Sequence, residues 1–311
     1  MAMAVIVPVN RDYDPAFGAD VRLSPLVRRV LAPNPSPFTF HGTGTYLIGT
    51  DRLAVVDPGP DEADHLDALL SAIGDAEVTH ILVTHTHVDH SPLAKALKAR
   101  TGAKTYGFGP HGSHRAEGGV KIQESGDMDF VPDIAVRDGD VIAGEGWTVE
   151  CVFTPGHTSN HMCFALREEN ALFPGDHVMG WSTTVVGPPD GDMRAYMRSL
   201  EKLTTRDDQV YYPTHGAPDG GPLDALNRNP QAFVTTLLAH RRDRESQILD
   251  AIGQGHVTIP AMVAEMYQAV DTRLHPAAAM SVFSHLVAMV EDRRIFTDGA
   301  PRSTGTYSLQ P

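Results

Sequence analysis

VTHTHVDH, Val83 to His90, sets three imidazoles and a carboxylate (His85, His87, His90 and Asp89) within six residues, directly after the apolar run Ile81-Leu82-Val83. Neutral imidazole and carboxylate are ligands that suit Zn²⁺, Mn²⁺ or Fe²⁺. If a strand delivers His85 and His87, side-chain alternation turns both to one side, and Asp89 and His90 fall on the turn beyond. That spacing offers two ligands to one ion and two to a neighbour. A lone histidine here would be an ordinary core or surface residue. Four ligand-type residues this close are a metal signature.

Working outward, Thr45-Tyr-Leu-Ile-Gly49 and Arg52-Leu-Ala-Val-Val-Asp57 read as antiparallel strands joined by a turn at Gly49-Thr50-Asp51. Asp57-Pro-Gly-Pro60 stops the second strand, so Asp57 reads equally as a turn residue or as a support behind the ligands. Leu66, Leu69, Leu70 and Ile73 recur at helical spacing before Gly74. Ser91 to Arg100 predicts a helix capped by Ser91 with Pro92 in its first turn. Gly102 to Gly126 lacks periodicity, and its His111 and His114 read as loop histidines. The N-terminal run Ala4-Val-Ile-Val-Pro8 reads as a first strand. Strands are expected again at Ile134–Val136, Val141–Ile142, Trp147–Phe153, Met162–Leu166 and Ala171–Phe173, then a helix over Asp192–Leu203.

Three later positions share one logic, a strand that ends directly before a ligand-type residue. They are Thr154-Pro-Gly-His157, Phe173-Pro-Gly-Asp176 and Tyr212-Pro-Thr-His215. Each is a weak signal by itself. Together with the opening stretch they make a donor set sufficient for two metal ions.

The series His85-x-His87-x-Asp89-His90, His157, Asp176, His215, preceded by Asp57, resembles the five-motif pattern of the metallo-β-lactamase fold superfamily over roughly residues 35 to 220. The resemblance implies an α/β layered fold, an αββα sandwich with a dinuclear site at one edge. It implies that His85, His87 and His157 hold one metal, that Asp89, His90 and His215 hold a second, and that Asp176 bridges them. It also implies zinc first, with iron or manganese as possible substitutes. True β-lactamases of the superfamily lack the bridging aspartate, and the nucleases with a large inserted domain need a longer chain between His157 and His215. Thioesterases, lactonases and small ribonucleases remain.

From Asn229 the chain reads as helices (Gln231–Ile252, Ile259–Val270, Ala277–Arg294) with a terminal hairpin at Ile295–Thr297, so the expected division is a catalytic domain over 1–224 and a helical, winged-helix-like domain over 225–311. Asn34-Pro-Ser-Pro-Phe-Thr39, Ser182–Val185, Tyr212–Gly216 and the helix around His240–Leu249 are similar to the β-lactamase-like protein 2 group, whose best-understood members cut single-stranded RNA. Gly42-Thr-Gly-Thr-Tyr46 departs from the G-T-N-T-Y frequent in that group, a difference that bears on the substrate rather than on the metal site.

Composition restrains the nucleic-acid reading. The 311 residues carry a net charge of −14, which repels a phosphate backbone in the mean field. Between Asn229 and Asp298 acidic side chains outnumber basic ones, which suits packing or a homodimer better than DNA binding. Arg241, Arg242 and Arg244 could still supply local charge for RNA. No apolar run approaches the ~20 residues of a membrane span, and the expected compartment is cytoplasmic. Cys151 and Cys163 are expected to be buried, reduced and structural.

The expected activity is hydrolysis of an ester, thioester, lactone or phosphodiester. Water held between two divalent ions has its pKa lowered to about 7, and a bridging hydroxide is then the nucleophile. Asp89 is expected to act as general base or orienting group. Partners are a small acyl compound or single-stranded RNA. The rival from another class is a metal-bearing scaffold or nucleic-acid-binding regulator without catalysis.

Overall fold

A computed structural model describes residues 5–112, 126–217, 229–268, 272 and 275–310. His114 and the expected domain boundary at 224/225 lie outside the described residues.

The apolar runs pair into two sheets. The first follows chain order: β1 (Val21–Arg22), β2 (Val27–Leu31), β3 (Gly44–Ile48), β4 (Arg52–Val56), β5 (Glu77–Leu82), β6 (Lys104–Gly107) and β7 (Ile134–Ala135). β1 to β4 are antiparallel, as the turn at Gly49–Asp51 requires. β4 to β7 are parallel. The crossovers that parallel pairing needs include the helices α1 (Ala63–Ile73) and α2 (Leu93–Thr101). α1 buries Leu69 and Ile73 and ends where Gly74, at φ 58°, returns its N–H to Leu70 O.

β8 (Val141–Gly144), β9 (Trp147–Phe153), β10 (Met162–Leu166), β11 (Ala171–Phe173) and β12 (Val210–Tyr211) form the second sheet. Its first four strands are antiparallel, and β12 lies parallel to β11. Side chains from both sheets interleave between them, among them Tyr46, Ile48, Val56, Trp147, Val149, Cys151, Phe164 and Phe173. Trp147 spans the layers, since its Nε1–H donates to Arg52 O at 3.1 Å. Truncating so large a buried ring to Ala would cost about 3–5 kcal/mol. Outside the second sheet lies α3 (Met193–Thr204), capped by the Asp192 carboxylate on Ala195 N–H at 2.9 Å.

The helix α4 (Pro230–Gly253) serves two cores. Its first half packs Phe233, Val234 and Leu237 against α3 and the second sheet. Its last turns, with Ile248 and Ile252, pack with α5 (Ile259–Met266), α6 (His275–Glu291), Ile295 and Tyr307. β13 (Phe296–Thr297) and β14 (Tyr307–Ser308) pair as the expected terminal hairpin. No described helix is long and apolar enough to cross a membrane. Both cysteines are buried and free, and burial pushes each thiol up to about 12.

Three expectations need correction. Val5 to Asn10 joins no sheet. Pro8 has no N–H to give a ladder, and the segment is fastened by Asn10 N–H on Gly180 O at 3.0 Å with Val7 and Val9 packed on α3's core. Ser91 does not cap α2, because its hydroxyl is committed to Asp127 Oδ2 at 2.7 Å. Lys104–Gly107 is a strand inside the Gly102–Gly126 stretch, for which no element is expected from periodicity. Its four residues are too few to show a period, and it is held by parallel pairing to β5.

Candidate metal centre

The crossovers bring the carboxyl ends of β4, β5, β9, β11 and β12 to one edge of the sandwich, and each of these strands runs into a ligand-type residue. His85, His87, His157 and Asp176 form one group, and Asp89, His90 and His215 form a second, each with its donor atoms within 4.8 Å of one another. The two groups touch: Asp176 Oδ1 is 3.3 Å from His215 Nε2 and 3.5 Å from His90 Nε2, while Oδ2 is 3.6 Å from His157 Nε2. Asp89 Oδ2 lies 3.1 Å from His215 Nε2 and 3.5 Å from His90 Nε2. Every ligand-type residue singled out from the sequence is thus at this one place. Asp176 stands between the groups.

The histidines are turned by partners behind them. His90 Nδ1 meets Asp57 Oδ2 at 2.9 Å, His157 Nδ1 meets Val185 O at 2.7 Å, and His215 Nδ1 meets Gly42 O at 3.0 Å. A ring that donates one N–H to an acceptor presents the lone pair of its other nitrogen, the usual support for a metal-bound imidazole. His87 faces inward through Nδ1, which is 3.1 Å from both His85 Nε2 and His157 Nε2. His90 Nε2 and Asp176 Oδ1 are buried without a hydrogen-bond partner. Crowded inward lone pairs and orphaned buried polar atoms are costly unless a cation joins them, so these residues fit divalent metal ions.

Asp57 is more than a turn residue. It is fully buried, at φ 48°, and accepts from Thr84 N–H at 2.8 Å, Thr84 Oγ1 at 2.8 Å and Thr214 Oγ1 at 3.2 Å besides His90. Sequence reading missed both threonines. The signal was present, since each immediately precedes a clustered histidine, His85 or His215. It also missed a second layer: His161, whose ring lies 5.1 Å from that of His85, and His177, 5.8 Å further on. His111 is tied to Thr86 Oγ1 at 2.9 Å and belongs to neither donor group.

Electrostatics divides the groups. Burial, then the charge of neighbouring His90, lowers His85 well below the ordinary histidine value, and burial and His157 bring His87 to about 3. These rings are neutral and ready to ligate. Burial also opposes charge on His215 and His90, but Asp176 and Asp89 outweigh it. His215 rises to about 10, and His90 rises well above its usual range. Burial raises Asp89 and Asp176, yet the adjacent His90 and His215 hold both carboxylates below the usual range.

A family model described as "Metallo-beta-lactamase superfamily" matches residues 39–215, and one described as "Beta-lactamase associated winged helix domain" matches residues 258–303. The chain belongs to the metallo-beta-lactamase superfamily and is a hydrolase. It is 30% identical over 306 residues to the lactamase-like protein adaB of Aspergillus niger, covering 92% of this chain and 86% of that one. It is also 33% identical over 269 residues to an atrochrysone carboxyl ACP thioesterase of Aspergillus terreus, covering 83% and 77%. Among solved structures, a beta-lactamase domain protein from Burkholderia ambifaria superposes with a TM-score of 0.76 at 20% identity, over 96% of this chain and 95% of that one. A metallo-beta-lactamase family protein from Thermus thermophilus gives 0.73 at 21% identity, over 93% and 100%. These two likenesses establish the fold.

Proposed function

We propose that this protein is a metal-dependent thioesterase that releases an acyl group from a carrier-bound thioester. The observation that carries the reading is the convergence of His85, His87, His157 and Asp176 with Asp89, His90 and His215 in one site, in a chain about one-third identical over most of its length to relatives named as acyl carrier thioesterases. The first group would hold one divalent ion and the second another, with Asp176 between them. Such ions, zinc first, supply Lewis acidity that polarises a carbonyl and lowers the pKa of water to about 7.

The chain's own residues supply the rest. Asp89 has 20% of its side chain exposed against 10% for Asp176, which makes it the carboxylate placed to accept the proton of the attacking water. Attack forms the new C–O bond and the C–S bond breaks. The thiolate leaves with its electron pair and takes up a proton. Asp57 keeps His90 in one tautomer through Nδ1, and the Val185 and Gly42 carbonyls do the same for His157 and His215. Only the inward nitrogens are then free to act.

The local charge that an RNA substrate would need from Arg241, Arg242 and Arg244 is already engaged within the protein. Arg241 is 2% exposed, Arg242 is paired with Glu201 at 2.7 Å, and Arg244 hydrogen-bonds Gln247 and covers the Tyr267 ring at 4.6 Å. None of the three stands as a free cation for a phosphate backbone.

The test is thiol release from an aromatic acyl thioester and from its acyl-carrier form by zinc-loaded protein, beside His87→Ala and chelator-treated samples. Release by the wild type alone is expected. Single-stranded RNA is assayed in parallel, and cleavage of RNA with no thiol release would replace the thioesterase reading.

A further inference from the structure

We infer that Arg241, carried by the helix that enters the C-terminal unit, is a positioning residue for the metal centre. The inference rests on reading the His/Asp cluster as a metal site.

Arg241 lies on α4 where that helix passes from the core beside the second sheet to the C-terminal core. Its guanidinium is among the largest fully buried groups of the protein and makes no ion pair with a carboxylate among the described residues. One terminal N–H donates to Thr184 O, the guanidinium carbon is 5.2 Å from the centre of the Tyr196 ring, and Nε has no hydrogen-bond partner. Burying an unpaired cation carries a desolvation cost of several kcal/mol, and an apolar side chain would fill the same space without it. Stability alone is a poor reason for an arginine here.

What the guanidinium grips is the segment between two ligand-type residues. Thr184 Oγ1 donates to Asp176 O at 2.6 Å, closing the loop that begins at Asp176. The next residue, Val185, supplies the carbonyl that orients His157 Nδ1 at 2.7 Å. Tyr196, under the guanidinium, donates through its hydroxyl to His177 O at 2.9 Å, a second tie to the same loop. Arg241 therefore reaches Asp176 and His157 together through one backbone carbonyl. Both belong to the group with His85 and His87. The helical unit thus contributes to the centre by clamping this loop.

The experiment compares full-length wild type, Arg241→Met and Arg241→Lys. Zinc affinity is measured by competition with a chromophoric chelator, Co²⁺-substituted protein gives a ligand-field spectrum, and thermal unfolding is followed alongside. Arg241→Met is expected to bind one of the two ions about tenfold or more weakly, the usual scale for removing a support behind a ligand, and to shift the Co²⁺ bands. Arg241→Lys, which keeps a donor for the carbonyl, is expected to recover part of both. Wild-type affinity and spectrum in Arg241→Met, even with a lowered melting temperature, would overturn the inference and leave Arg241 a packing residue. If Arg241→Met fails to fold, Arg241→Gln takes its place with the same two readings. Failure of the wild type itself to take up metal would instead remove the metal-centre reading.

Discussion

Asp57 and His90 are both fully buried and joined at 2.9 Å from carboxylate oxygen to Nδ1, across 33 residues of sequence. The same carboxylate takes three further hydrogen bonds, from Thr84 twice and from Thr214. Asn also tolerates a left-handed backbone such as the one at Asp57, φ 48°. Asp57→Asn therefore isolates the loss of one acceptor oxygen. It is expected to fold, to lose about 1–3 kcal/mol from donors left unpaired, and to bind zinc ~10–100-fold more weakly. Thermal melts and zinc titration check both effects. Wild-type zinc affinity in the folded variant would leave Asp57 as a turn residue.

Gly156 explains the PG turn before His157. A Cβ at this position would stand 2.3 Å from the backbone N and Cα of Tyr196, and the residue's φ is +141°. Neither the turn nor α3 can yield cheaply, because Tyr196 N–H is bonded into the helix cap at Asp192 O. Gly156→Ala is expected to displace His157 or to unfold the protein. A crystal structure or a zinc count below that of the wild type would register the first outcome, and a melting temperature lower by ~5 °C or more the second.

His65 sets a pH dependence away from the His/Asp cluster. Burial pushes it down to about 4, against a weaker upward effect of a backbone hydrogen bond at Pro58. A histidine whose folded value lies below its unfolded value binds more protons when unfolded, so stability falls as pH falls. The loss begins near pH 6.5, the unfolded value, and levels off below about 4. Its full size is roughly 3 kcal/mol for a shift of this extent. His65→Gln, which keeps a polar group toward Thr45 Oγ1 (3.0 Å in the wild type), is expected to lessen the fall of unfolding free energy between pH 6.5 and 4. An identical slope in wild type and variant would assign the acid sensitivity elsewhere.

Arg242 and Arg244 test the nucleic-acid alternative directly. The Arg242–Glu201 pair is exposed, with side chains 59% and 50% accessible, and such pairs contribute at most about 1 kcal/mol. The double variant Arg242→Gln, Arg244→Gln is expected to keep wild-type thioester hydrolysis and melting temperature within a few degrees. A steep fall in activity with a changed salt dependence would restore these arginines as a docking surface for a charged partner.

The candidate metal centre was legible in the sequence because its ligand-type residues are chemically rare and sit at strand ends, where a two-residue turn sets their direction. His85, His87, Asp89 and His90 are local to one another, and His157, Asp176 and His215 each follow the same strand-turn pattern. The alternating strands, the amphipathic helices α1 and α3, and the helical tail with its hairpin were readable for the same reason: periodicity is a local property. Tertiary structure decided what is not local. Lys104–Gly107 became a strand because β5 offered an edge, and Ser91 gave up its cap because Asp127 lay within reach. Asp57 changed from a possible turn residue to an acceptor for Thr84, His90 and Thr214, since hydrogen bonds between distant segments exist only after the sheets have stacked. Arg241 looked like one of three surface cations. Only the packing of α4 against the Asp176–Val185 loop turned it inward, because burial is a property of the assembled layers and the charge of a side chain does not announce it.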